Sequence, residues 1–303
     1  MEHFQVRTDL ALEARESITH LEGELHGVFV EEYCEEESEI SVTKVMIESK
    51  NAAKSMGKPI GTYVTLEAPR LIESDEQYHR EVSVEIAKHI KQMIPEIQKE
   101  LSILVVGLGN QDVTADALGP RVVDNLFITR HIIREYGKVA YEKEKMHCIS
   151  SIAPGVMAKT GMETAEIVKG VVQETNPNVV LVIDALASRS VKRLNRTIQI
   201  TNTGIHPGSG VGNHRNALTE ETLGVLVVAI GVPTVVDAAT IVKDALEKLY
   251  NIPDTQLPVY AKDGDRSGLH DFYNMYVTSK DIDEMIKRLS FTVSEAINIA
   301  FSE

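Results

Sequence analysis

The sequence predicts an α/β fold built on a mostly parallel or mixed sheet flanked by helices. Leu101–Val106, Val179–Ile183 and Val225–Ile230 are short, continuous apolar runs. Runs without polar alternation belong to strands buried on both faces. They end in Gly107-Leu108-Gly109-Asn110, in Asp184 and in Gly231-Val232-Pro233, which are natural turns out of a buried strand. Helical patterns near Ala117–Tyr136 and Thr164–Glu174 separate the runs, as crossover units require. No internal repeat or low-complexity linker interrupts the 303 residues, so one α/β domain is expected rather than two.

From the N-terminus onward, Gly27–Glu39 is an acidic stretch that reads as a solvated loop or strand edge. Val42–Glu48 and Thr62–Glu67 are β-rich and bounded by Gly or Pro, with Asn51–Lys58 as a polar connection between them. Glu76–Glu100 sets Val82, Val84, Ile86, Ile90, Met93, Ile94 and Ile97 at helical spacing among charges, with Pro95 as a kink or break. Thr197–Thr201 is a further strand. The loop after it, Thr203–Asn213, carries four glycines suited to close backbone approach to a ligand or another loop.

Composition excludes several classes of function. Lys and Arg number 31 against 45 Asp and Glu, a formal net charge of −14. Phosphate-tracking surfaces are built from clustered basic residues, and no such cluster exists, so direct nucleic-acid binding is not expected. The longest uncharged stretch, Thr222–Val236, is broken by glycines and Pro233. It falls short of the roughly 18 residues a membrane helix needs and reads as core. Met1–Glu16 mixes acidic and basic residues and has no apolar signal-peptide region, so a cytoplasmic location is expected. Cys34 and Cys148 can form neither a disulfide framework nor a zinc CxxC pair.

The familiar catalytic motifs are missing too. The third glycine of a dinucleotide turn starting at Gly107 would fall on Asp112, and P-loop, zinc-protease and nucleophile-elbow patterns are absent. No cofactor is expected. In open α/β sheets the site lies outside the carboxyl ends of the strands. That rule selects Asn110, Asp112 and Asp116, then Asp184 and Ser188, then Thr234 and Asp237. Asp116 and Asp184 each follow a buried strand. Two carboxylates brought close cannot both ionise easily, so one can serve as general base and the other as general acid in peptide hydrolysis without a metal. Alternatively, Asp116 caps a helix near Ala117 and Asp184 ends a strand. A third possibility adds His206, giving three ligands for a divalent metal.

Longer stretches carry a resemblance. Val105–Asn110 with Val113–Pro120, then Val182–Arg189, Thr203–Asn213 and Ala229–Ala238, together with Val6–Ala14 at the N-terminus, resemble the spore germination proteases of endospore-forming bacteria. The resemblance implies an atypical aspartic endopeptidase, similar in fold to hydrogenase maturation endopeptidases. It would be made as a zymogen in the forespore, would act in the spore core on small acid-soluble spore proteins, and would assemble as a homotetramer. Motif for motif, the catalytic pair carries over to Asp116 and Asp184, with no metal. The family's cleavage signal is an acidic residue, a hydrophobic one, Ala and a further acidic residue downstream, and Thr8-Asp9-Leu10-Ala11-Leu12-Glu13 fits it. Residues 1–9 would then be a propeptide cut between Asp9 and Leu10, leaving 10–303 as the peptidase domain. Asp9 as a helix N-cap is compatible with that reading. Asn110, His206, Asp237 and Arg189 are expected to line the site, with Arg121, Arg189, Lys192, Arg193 and Arg215 as candidates to receive acidic substrate side chains. Two other readings follow from the same residues: a metal-dependent maturation-type peptidase, and a binder of acid-soluble spore proteins that does not cut them.

Overall fold

The computed structural model describes residues 8–22, 26–35, 38–137, 146–206, 216–250, 272 and 275–302. In chain order the elements are α1 (Ala11–Glu22), β1 (Val28–Glu35), β2 (Ile40–Ile47), α2 (Lys50–Met56), β3 (Gly61–Glu67), α3 (Glu76–Met93), β4 (Ser102–Gly107), α4 (Leu118–Asp124) and α5 (Arg130–Tyr136). They continue with β5 (Cys148–Ile152), α6 (Met157–Thr160), α7 (Thr164–Thr175), β6 (Val179–Ser188), β7 (Thr197–Thr201), α8 (Glu220–Leu223), β8 (Leu226–Asp237), α9 (Ala238–Tyr250), β9 (Tyr276–Val277) and α10 (Ile282–Phe301).

These strands form one nine-stranded mixed sheet in the order β1-β2-β3-β7-β8-β6-β4-β5, with β9 also pairing β8. The β8-β6-β4-β5 half is parallel. The β1-β2-β3-β7-β8 half is antiparallel. The apolar runs of β4, β6 and β8 lie at the centre, where both faces are covered. On one face Ile103, Val105, Leu181, Ile183 and Ile230 pack with Val82, Ile86 and Ile90 of α3 and Ile286, Leu289, Val293 and Ile297 of α10. On the other, Leu104, Val106, Val180, Val182 and Val227 meet Val168 and Val172 of α7 and Leu218 and Leu223 beside α8. Farther along that second face, Val45, Ile47 and Tyr63 pack under Ala11 of α1 and Ala52 and Met56 of α2.

Several expected boundaries shift, each for a local reason. The long helix ends at Met93, because Pro95 restricts Ile94 to an extended conformation, seen at φ −105° and ψ 107°. The helical pattern over Ala117–Tyr136 is two helices. Thr129 breaks it by pinning itself to β5, its hydroxyl donating to His147 O at 2.6 Å and accepting from Ile149 N–H at 2.8 Å. The acidic stretch after Gly27 takes the strand-edge alternative as β1, whose exposed carboxylates Glu31 and Glu32 pair with Lys44 and Arg15. A charged edge discourages pairing with another chain. β6 and β8 run well past their apolar runs and stay paired to Ser188 and Val236, with a bulge between Leu186 and Ala187.

α4 approaches the sheet through glycine. A Cβ on Gly119 would lie 2.3 Å from Leu108 O and 2.7 Å from Ile183 O, both backbone atoms that cannot move independently. Gly119→Ala is therefore expected to destabilise the fold by about 1–3 kcal/mol or more, read as a lowered urea midpoint at unchanged m value.

Candidate active site

On the second face the sheet is covered at two places, by α7 and α8 and by α1 and α2. Between them opens a cavity of about 330 Å³, lined by residues that include Asp116, Asp184, Lys58, Tyr63, Gln199 and His206. Asp184 is buried within β6 rather than at its end, and its Oδ1 accepts from Ala185 N–H at 2.9 Å. Its register partner is Gly231 of β8, and Gly231 is also the partner of Gln199 in β7. Residues in register share a face of the sheet, so Asp184 and Gln199 rise on either side of a glycine.

Asp116 arrives from the loop after β4, at the end of a 3-10 turn over Thr114–Asp116. Two constraints shape this loop. Gly109 adopts φ +117°, and a Cβ there would sit 1.9 Å from Asp116 O. Thr234 of β8 donates its hydroxyl to Ala115 O at 2.6 Å, tying the turn to the sheet. The Asp116 carboxylate accepts Asn110 N–H at 2.8 Å. The N-cap position of α4 is Ala117, whose methyl side chain supplies no capping bond.

The chain's own N-terminal segment borders this cavity at Asp9. Asp9 N–H donates to Ala187 O at 3.0 Å, and the Asp9 carboxylate accepts Ala187 N–H at 2.9 Å. Its side chain thus turns to β6, while Leu10 N–H is taken by Thr8 Oγ1 at 3.1 Å. Asp9 O accepts from Lys58 Nζ at 2.8 Å and Gln199 Nε2 at 3.2 Å, and Ala11 N–H donates to Gln199 Oε1 at 2.7 Å. Leu10 and Ala11 are completely buried. Glu13, also buried, accepts from the backbone N–H groups of Arg189 and Ser190 at 2.7 and 3.0 Å, and the Arg193 guanidinium lies 3.4 Å away. A buried carboxylate is tolerated only with such a donor set.

Electrostatics follow from this packing. Burial pushes the Lys58 ammonium pKa down, opposed by the Asp9 and Glu13 carboxylates. Burial drives the Tyr63 phenol up to about 12, keeping it a neutral wall of the cavity. Burial also opposes the charge on Arg193, but its bonds to Glu16 and Glu67 outweigh that and hold its pKa above the usual value.

The other residues selected from the sequence fall in different places. His206 is exposed at the cavity rim. Asn110 acts on Asp116 through its backbone. Arg189 presents a backbone N–H to Glu13 and its guanidinium to Ser17 Oγ at 3.2 Å. Asp237 caps the start of α9 by accepting Thr240 N–H at 3.0 Å and is absent from the cavity lining. Arg121 lies on α4, outside the lining, and Lys192 borders a shallower pocket with Arg193 and Glu13. Arg215, and the 207–213 part of the glycine-rich loop, lie outside the described residues. Among the described residues no three His, Cys, Asp or Glu side chains converge as metal ligands, Asp116, Asp184 and His206 included.

Lys58 and Gln199 were not singled out by sequence. Lys58 had no local signal at all. Gln199 had one: it is a polar residue between Ile198 and Ile200 in a strand otherwise rich in Thr and Ile, buried at 7% exposure.

The chain matches the family model described as germination protease over residues 6–252, a stretch that contains Asp9, Lys58, Asp116, Asp184 and Gln199. It is 46% identical to the germination protease of Caldanaerobacter subterraneus subsp. tengcongensis, across 97% of this chain and 94% of that one. It is 45% identical to that of Clostridium perfringens, across 98% and 95%. With the germination protease of Bacillus mycoides it shares 46% identity across 80% of this chain and 66% of that one. A family match over most of the chain, and relatives this similar along nearly their whole length, establish that the chain belongs to the germination protease family and is a peptidase.

Proposed function

We propose that this peptidase is an endopeptidase of the spore core that begins the degradation of small acid-soluble spore proteins at germination. In this reading it is made as a zymogen that cuts itself between Asp9 and Leu10, with Asp116 and Asp184 activating the attacking water. The observation that carries the reading is that Asp9, whose backbone and side chain are held by Ala187, Lys58 and Gln199, lines the same cavity as both aspartates. One carboxylate takes a proton from water as its oxygen attacks the Asp9 carbonyl carbon, and the other supplies a proton to the Leu10 nitrogen as the bond breaks. The pair titrates as a unit, so the roles are assigned to the pair.

The same contacts support an acidic, hydrophobic, Ala, acidic pattern in the protein substrate. Backbone N–H of Ala187 takes the first carboxylate, closed packing admits Leu10 and the small Ala11, and Arg189, Ser190 and Arg193 take the last carboxylate.

Asp116→Asn and Asp184→Asn should each slow release of the nine-residue fragment by about 10²–10⁴-fold, followed by mass spectrometry under mildly acidic, dehydrating conditions, while the melting temperature stays near wild type. Wild-type processing in either variant would sink the assignment. Glu13→Gln keeps the shape but removes a charge-assisted set of bonds of about 1.5–3 kcal/mol. Its fragment release should slow by about 10–100-fold, and a peptide carrying the same change should compete correspondingly less well with one bearing Glu.

A further inference from the structure

The docked segment orients one peptide bond in particular. The carbonyl oxygen of Asp9 belongs to the bond between Asp9 and Leu10, and two side chains from separate elements converge on it: Lys58 Nζ, just beyond α2, at 2.8 Å and Gln199 Nε2 of β7 at 3.2 Å. The bonds flanking it, Asp9 N–H to Ala187 O and Ala11 N–H to Gln199 Oε1, fix the plane of the chain on either side. Lys58 and Gln199 line the same cavity as Asp116 and Asp184. A backbone carbonyl needs one donor. Two donors, one of them a cation, suit an oxygen that acquires negative charge.

We propose that Lys58 and Gln199 are the oxyanion-binding residues of this peptidase. The proposal rests on the reading that the Asp9–Leu10 bond is the one cut. As the water oxygen adds to the Asp9 carbonyl carbon, a water proton passes to one aspartate and the carbonyl electron pair moves onto oxygen, where the ammonium and the amide N–H receive it. When that pair returns, the carbon–nitrogen bond breaks. The Leu10 nitrogen takes a proton from the other aspartate, leaving a carboxyl group on Asp9 and an amine on Leu10. Donors prearranged at developing charge in a site shielded from water act more strongly than they would in water. The docked chain also brings the carboxylates of Asp9 and Glu13, whose charges oppose the effect of burial on Lys58. An occupied site thereby favours the protonated amine that the step requires.

Lys58 also donates to Thr8 O at 3.3 Å, so a purely clamping role has to be separated from an oxyanion role. The test compares full-length wild type, Lys58→Met, Lys58→Arg and Gln199→Glu. The glutamate variant keeps an acceptor for Ala11 N–H and replaces the donor to Asp9 O with a carboxylate oxygen, whose negative charge opposes an oxyanion there. Fragment release is timed by mass spectrometry, and amide hydrogen exchange at Asp9 and Ala11 reports whether the segment is still seated. The expected result is release about 10²–10³-fold slower in Lys58→Met and at least about 10-fold slower in Gln199→Glu, with partial recovery in Lys58→Arg. Protection of both amides should remain within about threefold of wild type. Release at the wild-type rate in Lys58→Met and Gln199→Glu, or slow release accompanied by lost protection, overturns the oxyanion role while leaving self-cleavage intact. A wild-type chain that never releases the fragment overturns both readings. If Lys58→Met does not fold, the isosteric Gln199→Glu decides the question in the same way.

Discussion

The pairing of β6 with β8 is the constraint on which the rest of the molecule depends. These strands run parallel from Val179 and Leu226 to Ser188 and Val236, past the last residues that β4 and β7 pair with them. Their first halves are apolar on both faces and hold the helices on either side of the sheet. Their second halves carry the polar work: Asp184 faces the cavity, Thr234 anchors the Asp116 turn, and Ala187 pairs through its backbone with Asp9. The bulge at Leu186–Ala187 lies within this polar half, with Thr234 as the extra residue on β8. A bulge re-aims the backbone beside it, which makes such features common next to sites.

The two faces of the sheet are unequal, and the inequality makes the cleft. One is covered by α3, α4 and α10 in a single large cluster. The other carries two separate clusters, with the site between them. Because the core is anchored from behind, the front can stay open without loss of the fold, and the chain's own Asp9 borders the gap. Gly231, where the Asp184 and Gln199 rows meet, has no side chain to block this arrangement. Leu186 packs over it instead, 2.4 Å from where a Cβ would stand.

Charge is distributed against the overall trend. The chain carries a net charge of −14, yet the N-terminal segment meets Lys58, beside Asp9 and Glu13, and Arg193, which pairs with Glu16 of that segment and Glu67 of β3. Glu13 is the centre of this exchange: it binds backbone N–H groups and a guanidinium at once. Basic groups held at the cleft of an acidic chain favour acidic peptide segments there.

Much of this was legible in the sequence because it rests on local physics. Continuous apolar runs marked β4, β6 and β8 as buried on both faces, and Asp116 and Asp184 stood out because each followed such a run. Where tertiary contacts compete with local pattern, the sequence was silent. Thr129 splits one apparent helix only because β5 comes to meet it, and β6 continues past Asp184 because β8 pairs with it there, although the apolar signal has ended. Asp237 and Asp184 both follow buried runs, yet one caps α9 and the other faces the cavity. Lys58 and Gln199, about 140 residues apart, reach one carbonyl oxygen only when β3 and β7 pair and α2 folds beside them. Local periodicity thus determined the central strands and the positions of the acids. The convergence of a lysine and a glutamine on one docked segment, beside a cavity that two aspartates also line, was decided by tertiary structure, because long-range strand order has no counterpart in any short stretch of chain.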